Sequence, residues 1–260
     1  MNGEMHQICM LVSQARNAMA GKNEFEYMAE GYINSILFSF TTQKNFFGEE
    51  SRKTYSPREW YAECIRKGVS DMKFLAPLQV TDRSLLGFSN VSRPCMVSFY
   101  KNGMVTSWMA VWEYDKTLKK WNVEYQEYQW DNPPAEKPRF QNNIVELADI
   151  LLRIGEFADR IGCGSFGKIF RNAREILNGG KEIPDRYGNG MLVLLPDIPE
   201  AEKRLFFSAS MADVFGAMGS WNDDPPGCAH MKGLDREYET LSDELLKQIR
   251  LAALYAVNES

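Results

Sequence analysis

Apolar positions along this chain change period twice, and the changes divide it into helical, sheet and helical stretches. Ile8, Leu11, Val12, Ala15 and Met19 keep one helix face apolar, and Gly21 ends that helix. Phe25, Met28, Tyr32, Ile36 and Phe40 repeat at helical spacing behind an Asn23/Glu26 capping box, so the spacing predicts a second helix. Ser56-Pro57-Arg58-Glu59 combines a cap, a proline at the first helical position and a box-closing glutamate, with Trp60, Cys64 and Ile65 expected to face inward.

The middle alternates instead. Residues 96–100 run into Asn102-Gly103, suited to a type I′ hairpin with positive φ at both positions. Strands from Met104 to Tyr114 and from Trp121 to Tyr125 follow, giving a three-stranded antiparallel meander. Residues 78–88 are a weaker candidate for an edge strand, since Asp82 and Arg83 interrupt the pattern. The proline-rich stretch around residues 131–139 ends the sheet and is the one candidate linker.

Helical spacing then returns. Ile144, Leu147, Leu151, Ile154, Phe157, Ala158 and Ile161 form one stripe, with Asn143 and Glu146 placed as a capping box. Phe166, Ile169, Phe170, Ala173 and Leu177 form the next. The apolar run 191–195 has the length of a buried strand joining the sheet from afar, and Asp197 and Glu200 are placed to cap a helix reaching about Met218. Tyr238, Leu241, Leu245, Ile249, Ala252 and Ala256 mark the last helix. The expectation is an α+β protein: about seven helices packed with a small antiparallel meander of about 3–5 strands, in one domain of 260 residues with a subdomain boundary conceivable near 131–139.

Charge and cysteine usage narrow the partners. Of 35 acidic and 30 basic side chains, 11 and 6 lie in residues 200–260, which leaves the first 199 residues balanced at 24 each. The excess of −5 is therefore C-terminal. Without clustered Lys and Arg, nucleic acid is a poor expectation; a basic protein partner suits the acidic C-terminal region better. No apolar run approaches the ~20 residues of a membrane span, and Ile8–Val12 with Glu4 before it does not read as a signal peptide. The expected location is the cytoplasm, with no membrane contact. The five cysteines, Cys9, Cys64, Cys95, Cys163 and Cys228, are scattered and read as reduced thiols. Oligomeric state is left open.

Three features compete as sites. Gly162 to Ile169 has the G-x-G-x-x-G spacing of a protein-kinase glycine-rich loop, but it stands between two helix patterns and lacks the His-Arg-Asp and Asp-Phe-Gly strings, so it reads as a helix-to-helix turn. The aromatics Trp108, Trp112, Tyr114, Trp121, Tyr125, Tyr128 and Trp130 crowd the meander, as core pairs or as an interface. The segment 220–230 holds Trp221, Asn222, Asp223, Asp224, Cys228 and His230, the candidate ligand or partner residues. It contains metal-ligand types and a Cys–His pair, yet Asn-Asp and Pro-Pro-Gly are also turn chemistry. No cofactor or metal is expected. Only His6 and His230 are available to any histidine mechanism. The leading expectation is a non-catalytic cytosolic interaction protein of adaptor or immunity-like character. The alternative is an enzyme or small-ligand binder with its pocket at the 220–230 loop.

Overall fold

The computed structural model describes residues 1–41, 54–184, 186–187, 190–191, 197–216 and 218–260. In chain order the elements are α1 (Gly3–Met19), β1 (Ile33–Ser39), β2 (Thr54–Tyr55), α2 (Pro57–Arg66) and β3 (Val69–Leu75). A 3-10 helix (Arg83–Gly87) precedes β4 (Cys95–Tyr100), β5 (Val105–Asp115) and β6 (Lys120–Gln129). Then come α3 (Ile144–Arg160), α4 (Gly164–Leu177), β7 (Arg186–Tyr187), β8 (Gly190–Met191), α5 (Glu200–Ala212), α6 (Asp224–His230) and α7 (Asp235–Asn258). The class is α+β, with seven α-helices and a six-stranded sheet among the described residues. No helix among them is long and apolar enough to cross a membrane.

The chain forms two compact units. Residues 7–75 and 93–138 make the sheet unit, and residues 1–6, 76–92 and 139–260 make the helical unit.

In the sheet unit the strand order is β2-β1-β6-β5-β4-β3. The meander β4-β5-β6 is antiparallel, but the sheet is larger than expected and mixed: β1 runs parallel to β6, with Ile36 opposite Val123 and Phe38 opposite Tyr125. The helix expected over residues 25–40 is corrected accordingly. Met28 and Tyr32 are exposed, while Ile36, Phe38 and Phe40 are buried at the two-residue period of a strand. Phe38 stacks on Trp60 at 4.2 Å and on Tyr125 at 4.9 Å, and Trp108 meets both Phe38 and Trp60 edge-on. That aromatic pile is the core under α2. Ser56 and Glu59 form the full capping box of α2; Trp60 and Cys64 are buried as expected, whereas Ile65 is exposed.

The β4–β5 turn also differs in type. The Gly103 amide donates to the Tyr100 carbonyl (3.1 Å), the Tyr100 amide donates to the Met104 carbonyl (2.9 Å), and only Gly103 has positive φ (86°). This is a three-residue loop ending in a left-handed glycine, so the type I′ expectation fails while the hairpin stands. The opposite face of β3, β4 and β5 buries Val97, Phe99 and Val105 with Trp130 against them. Lys137 stands over the Phe99 ring at 5.2 Å and pairs with Asp71 at 2.9 Å.

In the helical unit α3, α4, α5 and α7 pack around one core that includes Leu147, Ile154, Phe170, Leu205, Leu245 and Ile249. Residues 83–87 form the 3-10 helix rather than an edge strand, because the Asp82 side chain accepts from the Ser84 amide (2.8 Å) and turns the chain. Asn143 sits at the start of α3 without capping it; its buried amide donates instead to the carbonyl (2.9 Å) and side chain (2.7 Å) of Gln248. The helix expected from Asp197 begins at Glu200 and ends at Ala212. Gly190–Met191 pair with Arg186–Tyr187 rather than with the main sheet, and residues 192–196 of the expected strand lie outside the described residues.

Candidate functional site

The glycine string opens α4 as a helix-to-helix turn. Gly162 takes φ +87° after α3, and a Cβ on Gly167 would stand 3.2 Å from the Gly155 carbonyl oxygen and 2.6 Å from Asp159 Oδ1. Its glycines thus allow α3 and α4 to approach closely, which accounts for them without a phosphate. The meander aromatics divide. Trp108 and Tyr125 are fully buried, Trp112 nearly so, while Tyr114 and Tyr128 are 48 % exposed.

The segment 220–230 is ordered by its own polar groups. Asp223 Oδ2 accepts from the amides of Gly219 (2.5 Å) and Ser220 (3.0 Å), and the Ser220 hydroxyl accepts from the Asn222 amide at 3.1 Å. This tight turn drives Trp221 inward, where it is 0 % exposed. Its ring meets Phe166, Phe170 and Tyr238 at 5.2–5.7 Å, its Nε1 donates to Ser242 Oγ (2.8 Å), and its carbonyl accepts from the Tyr238 hydroxyl (2.8 Å). Pro225 and Pro226 then start α6, so the second half of the expected loop is helical.

The six candidate side chains do not converge. Trp221 belongs to the core and Asp223 to its turn. Asp224 is exposed at the start of α6, and Cys228 is half-buried against the helical core. His230 Nδ1 lies 2.9 Å from Asp235 Oδ1 at the surface, a hydrogen bond that holds the Asp235 carboxyl below the usual range. No group of three or more His, Cys, Asp or Glu side chains suited to a metal occurs among the described residues.

Asn222 lines a cleft. Its amide donates to the Arg83 carbonyl (2.8 Å) and fixes the 3-10 helix against the turn. Arg83, Asn222, Pro226, Tyr238, Glu239 and Asp243, with residues 80–82 and 84, line a cleft of about 280 Å³. The Arg83 side chain is only 10 % exposed; its guanidinium pairs with Glu239 at 2.5 Å and with Asp243, and stands 5.7 Å from the Tyr238 ring centre. Burial works against its charge, but the hydrogen bonds and charges of Glu239 and Asp243 outweigh burial and hold its pKa above the ordinary value. Arg83 Nε is buried without an acceptor among the described residues. Burial pushes the Tyr238 hydroxyl up to about 12, against the lowering influence of Arg83. Glu239 (61 % exposed) and Asp243 (65 %) turn their remaining surface to solvent, and Asp82 adds a third carboxylate.

None of Arg83, Tyr238, Glu239 and Asp243 is among the site candidates that the sequence offers. The available signal was the i, i+4 spacing of Glu239 and Asp243 within an acidic helix; nothing local ties Arg83 to it. A second groove, about 590 Å³ between α3 and α7, has an apolar floor of Phe157 and Leu241 under a rim of Arg153, Arg160, Arg236, Glu156 and Glu237. Its charges nearly cancel, and none of the six candidates reaches it. No known protein family, curated protein or solved structure matches the chain.

Proposed function

We propose that this protein is a non-catalytic, cytoplasmic interaction protein of adaptor or immunity-like character, which takes a basic segment of a partner protein at the Arg83 cleft. One observation carries the reading. Three carboxylates, Asp82, Glu239 and Asp243, line the cleft with a single guanidinium, so it is net negative, and two of the three come from the C-terminal region that supplies the chain's whole charge excess. The largely exposed side chains of Glu239 and Asp243 suit lysine or arginine side chains, and such a patch steers a basic partner on approach. A fluorescent Lys/Arg-rich peptide tests it: binding should weaken steeply with salt and disappear in the Glu239→Gln/Asp243→Asn double variant. Binding that ignores both the salt and the variant sinks the reading.

The alternative, an enzyme or small-ligand binder at the 220–230 segment, draws on Asn222 and Pro226 in the same cleft and on the unpaired Arg83 Nε. At about 280 Å³ the cleft falls just below the range of about 300–1,000 Å³ usual for small-molecule sites. A small ligand whose binding is lost in Asn222→Ala and retained in Glu239→Gln/Asp243→Asn would favour this alternative.

A further inference from the structure

The 3-10 helix that carries Arg83 turns two of its residues inward. Arg83 pairs with Glu239 and Asp243, and Leu86 is buried in the helical core. A 3-10 turn brings residues three apart to one side, so Leu85 and Phe88 share a different side. The Phe88 amide closes that turn on the Leu85 carbonyl (2.9 Å), and both side chains are exposed, Phe88 at 66 %. Gly216 and Asn222 fasten a second segment to the same helix. The Asn222 amide donates to the Arg83 carbonyl (2.8 Å), and Gly216 lies so close that a Cβ on it would stand 2.7 Å from the Gly87 Cα. Met218 falls between these two anchors and is 100 % exposed. Leu85, Phe88 and Met218 thus form one apolar patch, and Ser84 and Asn222 join it to the acidic cleft that both of them line.

We propose that this patch is the second half of the partner site, and that the basic segment taken at the cleft is amphipathic. Its Lys or Arg side chains meet Glu239 and Asp243, while its apolar side chains cover Leu85, Phe88 and Met218. The inference rests on the reading of the cleft as a site for a basic partner. Charge selects this occupant over others. Asp82, Glu239 and Asp243 outnumber the Arg83 guanidinium beside the patch. A second copy packed patch to patch would bring the same negative cleft against its twin, and anionic lipid headgroups would be repelled likewise. A cationic segment is drawn in by that field. Exposed ion pairs contribute little each and are screened by salt, whereas desolvated apolar and aromatic anchors carry most of the binding energy of an interface. The carboxylates therefore select the segment, and the patch holds it.

Two fluorescent peptides of equal positive charge test this on the whole chain. One carries Leu and Phe at helical spacing among its Lys and Arg residues; the other carries Ser at those apolar positions. The apolar peptide should bind about tenfold more tightly and keep more of its affinity in high salt. The Phe88→Ser/Met218→Ser double variant should bring it down to the affinity of the serine peptide, which the variant leaves unchanged. Met218→Ser alone, at a side chain wholly in solvent, should act in the same direction even if the double variant fails to fold. Equal binding of the two peptides, lost together in Glu239→Gln/Asp243→Asn, would overturn the patch and leave the cleft reading standing. Binding of neither peptide would remove both. An apolar advantage that survives Phe88→Ser/Met218→Ser would also overturn the inference. So would a parent dimer in sedimentation, or adsorption to phosphatidylcholine vesicles, that the double variant abolishes, since either gives the patch a different occupant.

Discussion

Replacing Trp221 with alanine removes the largest side chain that joins the 220–230 segment to the helical core. The ring is fully buried, meets Phe166, Phe170 and Tyr238 within 5.7 Å, and satisfies Ser242 Oγ. Emptying a large aromatic pocket costs about 3–5 kcal/mol. Leaving the buried Ser242 hydroxyl without its donor adds about 1–3 kcal/mol where the cavity cannot admit water. We take about 5 kcal/mol for the sum, a large part of the roughly 5–15 kcal/mol that holds a domain folded. At a urea dependence of about 2 kcal/mol per molar, the midpoint should fall by about 2.5 M. Urea denaturation measures this, with hydrogen exchange in α7 reporting on the helical unit specifically. Trp221→Phe keeps an aromatic ring and loses the indole N–H, so its loss should be clearly smaller, and adding Ser242→Ala should restore about 1 kcal/mol by removing the orphaned hydroxyl. A Trp221→Ala midpoint within about 0.5 M of the parent, or no recovery in the double variant, would refute the packing argument.

Asp223→Asn keeps an acceptor for the Gly219 and Ser220 amides but loses its charge, so it should cost about 1 kcal/mol in the same denaturation assay. Ser56→Ala removes the α2 capping box and should also cost about 1 kcal/mol, read from thermal unfolding. Gly216→Ala should cost about 2–3 kcal/mol, because a Cβ there would lie 2.7 Å from the Gly87 Cα at φ +133°. Burial, opposed by the Asn90 amide, holds the Glu4 carboxyl above its ordinary 4.5, so the folded chain binds that proton more tightly than the unfolded one. Stability should therefore drop as pH rises from 4.5 through the folded value, and Glu4→Gln should flatten that part of a stability–pH curve.

Local signals located the elements whose partners lie nearby or whose apolar stripe is complete. α2 carries its start signal within four residues, and α7 buries every position of its stripe: Tyr238, Leu241, Leu245, Ile249, Ala252 and Ala256. β1 and β3 were not legible for the opposite reason. β1 is held by a parallel partner more than 80 residues away, and its helix-like spacing arises because Phe25, an irregular-segment residue, packs on Trp60 and Tyr61 in the same pile as Phe38. β3 carries Asp71 and Lys73, which look solvent-facing in sequence. In the structure Asp71 is held by Arg16 from α1 and Lys137 from the proline-rich stretch, neither of which a local window contains.

The same division decides the site. In segment 220–230 the sequence concentrates reactive side chains, but the short range that makes them conspicuous also lets the backbone consume them: Asp223 bonds to amides three and four residues back, and His230 meets Asp235 five residues on. The cleft proposed for a partner is assembled from afar. Arg83 reaches Glu239 and Asp243 across more than 150 residues of chain, and Asn222 fastens the Arg83 carbonyl so that the guanidinium is aimed at both. One positive charge cannot balance three carboxylates, so the cleft keeps a residual negative field, and it does so on a frame that Trp221 makes rigid. Rigidity matters because a partner's cation gains little from flexible surface carboxylates, which must first be ordered. Glu239 and Asp243 are already oriented by Arg83, one turn apart on α7. Arg83→Gln, which removes the charge, separates field from frame: electrostatics alone predicts tighter binding of a basic peptide, whereas loss of binding at unchanged stability would show that Arg83 serves chiefly to orient the carboxylates.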